Sequence, residues 1–160
     1  MEAITSFQNE NRFLSNFFEI KIPVLFEGLE FFTIEAAYVS AKTTDIKIRK
    51  EIQKMKPGRA KRKGEEILEK NLSPNPKWSD NFRAALIEDL VFQKFSKNED
   101  LKQALIATGK CKLIEGNWWH DNFFGVCNCG NCPIEKQRPP EEQNKLGKIL
   151  MGVRKRLKGE

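Results

Sequence analysis

The chain has 160 residues, 39% hydrophobic and 31% charged, enough for one domain with a real core and on the polar side for a soluble protein. Lysine and arginine total 28 against 22 acidic residues, a net charge of +6. That excess favours phosphorylated or polyanionic partners without by itself establishing nucleic-acid binding. No apolar run approaches membrane-span length, and the opening Met-Glu-Ala-Ile-Thr lacks the basic and apolar pattern of an export signal, so no membrane partner and a cytoplasmic location are expected. Four cysteines outside a secretory context do not read as a disulfide framework.

In chain order, Ile4 to Phe7 reads as a short strand. Phe13 to Phe18 is aromatic-rich, and Leu14 with one of Phe17 or Phe18 should be buried. Glu19 to Phe26 partly alternates, with Ile20, Ile22 and Val24 on one side and Pro23 marking an edge strand. The Glu27-Gly28 turn signal and the run Leu29 to Phe32 complete an antiparallel hairpin. Thr33 is a candidate N-cap for a helix whose buried side would hold Ile34, Val39 and the alanines. A short helix is expected over Thr44 to Met55, ended by Pro57-Gly58, then another over Arg59 to Lys70. Asn71 to Pro76 is a loop. Trp78 to Lys97 is the clearest long helix, with a Phe82, Leu86 and Leu90 stripe flanked by Ala85, Val91 and Phe95. Asn98 would cap a helix over Glu99 to Thr108, closed by Gly109. Lys112 to Glu115 suits a strand, Asn117 to Gln143 a long loop, and Lys145 to Leu157 a helix with Leu146, Ile149, Leu150 and Val153 inward. The expected fold is α+β and mostly helical: a small antiparallel hairpin near the N-terminus packed on a multi-helix body, in a single domain over 1–160.

Several stretches carry chemistry. At helical spacing Glu35, Tyr38 and Lys42 share a face, and Glu35 falls in the first turn, where the helix dipole favours a carboxylate. A capping glutamate and a solvent-facing lysine are the plain alternative. Trp118-Trp119-His120-Asp121-Asn122-Phe123-Phe124-Gly125 combines aromatics with an acid and amides, which suits stacking and edge recognition of a flat heterocycle, or a loop anchored by its rings. His120 reads most simply as a surface histidine. Glu35 and Asp121 each sit beside aromatics, and glycosidic cleavage commonly uses paired carboxylates, but spacing alone does not bring them together. Arg59, Lys61, Arg62 and Lys63 follow a Pro-Gly break at a helix start, a natural phosphate site. No Gly-x-x-x-x-Gly-Lys-Ser/Thr occurs, which disfavours a nucleoside-triphosphatase. Cys127, Cys129 and Cys132 can ligate zinc with Cys111 or His120 as fourth ligand, the other reading being free reduced thiols.

In order along the chain stand Phe13-Leu14-Ser15-Asn16-Phe17, Thr33-x-Glu35-x-x-Tyr38-x-x-x-Lys42, Gly58-Arg59-Ala60-Lys61-x-x-Gly64, Trp78, and Lys94-Phe95-x-x-Asn98-x-x-Leu101. Leu105 to Thr108, Leu113-x-Glu115, Asp121-x-Phe123-Phe124-Gly125 and Asn144-x-Leu146-Gly147-x-x-Leu150-Met151-x-x-Arg154 follow. Together these motifs resemble the YbiA-like N-glycosidases of the NADAR superfamily, from about Phe13 to Leu157. The resemblance implies a mostly helical α+β fold and hydrolysis of N-glycosidic bonds without a required cofactor. The substrate it implies is a small phosphorylated ribosyl compound, a phosphoribosylamino-pyrimidine intermediate of riboflavin biosynthesis cleaved to ribose 5-phosphate and the free pyrimidine. It further implies Glu35 as the principal catalytic carboxylate, Asp121 as the second and Trp78 as a substrate-contacting aromatic. Lys42, Arg59 and Asn144 would line the ribose and phosphate side, with Asn16, Tyr38 and Phe124 completing the binding set. Phe124 stands where the family usually has tryptophan, and the cysteine-rich insert lengthens the loop before Asn144. Two other functions compete: an ADP-ribose hydrolase acting on guanine in nucleic acid, and a non-catalytic nucleotide or ADP-ribose binding module, which zinc would stabilise. No pattern sets an oligomeric state.

Overall fold

The computed structural model describes residues 2–160 and divides into two compact units, one continuous (Asn16–Glu99) and one discontinuous (the residues up to Ser15 together with Asp100–Glu160). In chain order the elements are strand β1 (Ala3–Ile4), a 3-10 turn (Asn9–Leu14), strands β2 (Val24–Phe26) and β3 (Leu29–Phe31), and helices α1 (Ile34–Ser40), α2 (Ile46–Gln53), α3 (Pro57–Glu69), α4 (Asp80–Lys97) and α5 (Glu99–Ala107). Strands β4 (Lys112–Leu113), β5 (Gly116–Asn117) and β6 (Val126–Cys127), two further 3-10 turns (Ile134–Lys136 and Pro140–Glu142) and helix α6 (Lys145–Lys158) complete the chain. This is a mostly helical α+β fold with two-stranded sheets. Among the described residues no helix is long and apolar enough to cross a membrane.

In the continuous unit the expected hairpin is present. Val24 pairs with Phe31 and Phe26 with Leu29, across a turn in which Glu27 and Gly28 hold φ of 48° and 77°. Those paired positive values define the tight turn whose twist matches antiparallel strands. The strand is shorter than its alternation suggested. Pro23 has no amide to give, and the amide of Ile22 donates to Asn98 Oδ1 at 2.9 Å, while Asn98 Nδ2 donates back to the Ile22 carbonyl at 3.1 Å. The Asn98 side chain, expected to cap α5, is thus turned to Ile22. Ile20 and Val24 are buried, but Ile22 faces solvent.

Helix α1 is the hub of this unit and packs against α2, α3 and α4. Thr33 caps it, its hydroxyl accepting from the Ala36 amide at 3.1 Å. Every residue of α1 is buried except Glu35, which is half-buried. On those three helices Ile52, Ile67, Ile87, Leu90 and Phe95 are fully buried, each large apolar side chain contributing about 1.5–3 kcal/mol by leaving water. Pro57-Gly58 does not precede α3 but forms its first turn, where a missing amide costs nothing. Two expectations fail: Ala85 faces solvent while Ile87 is buried, and Phe17 and Phe18 are both only half-buried. Their rings lie beside lysines instead: Lys61 Nζ is 6.0 Å from the Phe17 ring and Lys94 Nζ 5.4 Å from that of Phe18.

In the discontinuous unit β1 pairs in parallel with β4, Ala3 opposite Lys112 and Ile4 opposite Leu113, and β5 pairs in parallel with β6. Helix α6 buries Leu146, Leu150 and Val153, with Ile149 half-buried. Arg154 ties it down, its Nη1 donating to Thr108 Oγ1 at 2.7 Å and to the Cys111 carbonyl at 3.0 Å.

Candidate active site and a cysteine–histidine cluster

The continuous unit brings Asn16, Glu35, Tyr38, Lys42 and Trp78 together. Capping by Thr33 starts α1 one residue before Glu35. The Glu35 amide donates to the Asn16 carbonyl at 3.0 Å, so the end of the aromatic-rich segment is held at the start of α1. The side-chain oxygen of Asn16 is buried and has no hydrogen-bond partner, an arrangement that costs stability unless a ligand donor meets it.

One turn on, the Tyr38 ring lies 5.1 Å from that of Trp78, and Trp78 lies 5.9 Å from Phe82. Lys42 Nζ sits 5.5 Å from the Tyr38 ring centre and 5.7 Å from that of Trp78, within cation–π range of both. Burial pushes the Lys42 ammonium below the ordinary lysine range, the Glu35 carboxylate opposes this, and Arg83 and Lys61 add to it. Gly64 on α3 makes the room: a Cβ there would lie 3.1 Å from Lys42 Nζ and 3.1 Å from Val39 Cγ2.

Arg83 is the member the sequence reading missed. Its Nε donates to the Tyr38 hydroxyl at 3.0 Å and its Nη1 to Asp80 at 2.9 Å. Nothing in the local pattern marks it, because it joins the cluster only through the packing of α4 on α1. Arg59 stands exposed in the first turn of α3. The result is a half-buried glutamate beside two rings in tilted contact, two cations and an unmet amide acceptor, which fits an anionic, flat, hydroxyl-bearing ligand.

Asp121, Phe124 and Asn144 belong to the discontinuous unit. One oxygen of Asp121 accepts from the amides of Phe123 (2.9 Å) and Phe124 (3.0 Å), a turn-forming use of an aspartate. Phe124 is buried, its ring edge-on to Phe123 at 4.7 Å. Asn144 is also buried. Its Oδ1 accepts from the Glu115 amide at 3.1 Å and its Nδ2 donates to the Leu113 carbonyl at 2.9 Å, so its amide fastens the start of α6 to β4.

The loop from Asn117 carries a second constellation. His120, Cys127, Cys129 and Cys132 are all half-buried, and one ligand-type atom from each lies within 4.8 Å of all the others, a set that could hold a metal ion. His120 is therefore not a plain surface histidine, and it rather than Cys111 completes the set. Burial pushes the Cys127 thiol up, but hydrogen bonds from the Cys129 backbone and thiol and from the His120 backbone outweigh it, for a fall to about 6. The Asn122 amide pulls the Cys132 thiol down, while burial and the Cys129 and Cys127 sulfurs carry it up to about 11.

The site is built on a capped, buried helix presenting one carboxylate, set in a mostly helical α+β fold. The model of the NADAR domain matches residues 5–158, and the chain belongs to that family, which is associated with N-glycosidase-type activity. Among solved structures it is similar to the NMR structure of the E. coli protein YbiA, with 24% sequence identity, a TM-score of 0.76, and coverage of 99% of this chain and 87% of that one. At that identity the likeness shows the fold. Comparison with curated proteins finds no match.

Proposed function

We propose that the chain is an N-glycosidase that hydrolyses phosphoribosylamino-pyrimidines of the riboflavin pathway, releasing ribose 5-phosphate and the free pyrimidine. The observation that supports this reading is the unmet Asn16 side-chain oxygen, held at the head of α1 by the backbone hydrogen bond from the Glu35 amide to the Asn16 carbonyl. In the proposed reaction the C1′–N bond breaks with its electron pair going to the leaving amine. Water forms the new bond to C1′, and its proton passes through the Glu35 carboxylate to that amine. The ionised carboxylate also stabilises the oxocarbenium-like centre. Asn16 Oδ1 accepts from a sugar hydroxyl. Trp78 and Tyr38 offer rings to the pyrimidine, and Lys42, Arg83 and Arg59 serve the phosphate. Asp121 is retained as the second carboxylate on the strength of the resemblance.

Turnover of the phosphoribosylamino-pyrimidine by wild type, Glu35→Gln and Asp121→Asn tests this. Glu35→Gln is expected to lose at least about a hundredfold in kcat with an unchanged melting temperature. Asparagine at 121 keeps an oxygen for both turn amides, so lost turnover with an intact fold marks the charge as catalytic. Full activity in Glu35→Gln refutes the assignment.

A second reading rests on exposed Lys56, Arg59 and Arg62 at and near the start of α3. These suit a nucleic-acid backbone and an ADP-ribosyl-guanine substrate. Release of ADP-ribose from modified DNA, with binding that weakens steeply as salt rises, would favour it. Ligand binding without turnover of either substrate would leave the binding-module reading.

A further inference from the structure

We propose that His120, Cys127, Cys129 and Cys132 bind one zinc ion as a closed structural centre, and that this ion fixes the loop carrying the Asp121 turn. Tetrahedral zinc with Zn–S near 2.3 Å and Zn–N near 2.0–2.1 Å requires S···S edges of about 3.8 Å and N···S edges of about 3.6 Å. Here Cys129 Sγ is 3.5 Å from Cys132 Sγ, and His120 Nδ1 is 3.4 Å from Cys129 Sγ and 4.0 Å from Cys127 Sγ. No pair approaches the roughly 2.05 Å of a disulfide, and all four cysteines of the chain are free.

The surroundings are also those of thiolate ligands. The Asn131 amide donates to Cys129 Sγ at 3.3 Å and Asn122 Nδ2 to Cys132 Sγ at 3.2 Å. Asn122 Oδ1 accepts from the Cys127 amide at 3.0 Å, so one side chain braces two ligands. Such donors orient and tune sulfur ligands. Three soft thiolates and an imidazole select zinc over magnesium or calcium, and four protein ligands leave no open position for catalysis.

The loop also needs a fastening. Between β5 and α6 it holds one two-residue strand and two 3-10 turns. Stretches of that length seldom stay ordered on their own contacts. His120 adopts φ of 68°, a left-handed conformation that a fixed ligand position would maintain. Because His120 directly precedes Asp121, the ion would set the geometry of the turn onto Phe123 and Phe124. On binding, each thiol still protonated gives up its proton as its sulfur lone pair goes to the metal.

The test is metal stoichiometry and cobalt substitution on the reduced full chain. Elemental analysis after zinc reconstitution is expected to give one zinc per chain, and cobalt(II) to give thiolate charge-transfer and tetrahedral d–d bands saturating at one equivalent. Cys111→Ala is expected to keep both signals. Asn122→Ala is expected to weaken cobalt affinity by about 10–100-fold, and Cys129→Ser by more. Absence of zinc and of the thiolate bands in the folded wild type overturns the proposal, as does an affinity that Cys127→Ser and Cys129→Ser leave unchanged. The wild-type spectrum decides the matter even if a cysteine variant fails to fold. None of these readouts passes through turnover, so they stand or fall apart from the glycosidase reading.

Discussion

Lys94 gives the sharpest test of the physical account. It is fully buried in α4, its Nζ 5.0 Å from the Phe95 ring centre and 5.4 Å from that of Phe18, and burial lowers its pKa from 10.5 to about 7. A fall of that size corresponds to about 5 kcal/mol of disfavoured charge. The unfolded chain binds this proton up to about pH 10.5, the folded one only up to about 7. Between those values the unfolded state carries more protons, so stability rises with pH across the window and levels off outside it. Lys94→Met keeps an unbranched side chain against both rings and removes the titration. Urea unfolding of wild type and variant at several pH values between about 6 and 10.5 isolates the contribution, since every other group cancels in the difference. The variant is expected to be more stable by a few kcal/mol at pH 7, with the gap closing toward pH 10.5. Parallel stability curves would refute the burial argument.

Two further outcomes follow from α1. Gly64→Ala gains about 1 kcal/mol of helix propensity but crowds Val39, which is fully buried, and Lys42 Nζ, at an overpacking cost of about 1–3 kcal/mol. The expected result is a small loss of stability and a larger loss of turnover as Lys42 leaves the two rings, and normal turnover would remove Lys42 from the site. Thr33→Ala deletes the cap on the Ala36 amide and should cost about 1 kcal/mol by denaturant melt, with Thr33→Ser restoring it.

What the sequence made legible was local. Thr33, the Glu27-Gly28 turn, the long α4 periodicity and the grouping of Glu35, Tyr38 and Lys42 each follow from spacing of a few residues. What escaped it depended on partners far along the chain. Arg83 reaches Tyr38 across 45 positions, and the Ile22 amide meets the Asn98 side chain across 76. His120 reads as ordinary in the sequence because the three sulfurs that gather beside it come from the return of the loop, seven to twelve residues later. The miss at Ala85, with Ile87 buried in its place, arises because the flank of an apolar stripe is fixed only to within a residue or two until the neighbouring helices are known.

The parallel pairing of β1 with β4 joins Ala3 and Ile4 to Lys112 and Leu113. On a ribosome adding roughly 5–20 residues per second, β1 emerges and then waits on the order of ten seconds for its partner. By the end of that interval the stretch Asn16–Glu99 is complete and free to collapse. The order of birth therefore predicts an early contiguous intermediate and a late ring-closing step, slow because distant ends must meet. Moving residues 2–15 by circular permutation to follow Glu160 would put that closure after synthesis of the rest of the chain, but across a shorter stretch of sequence.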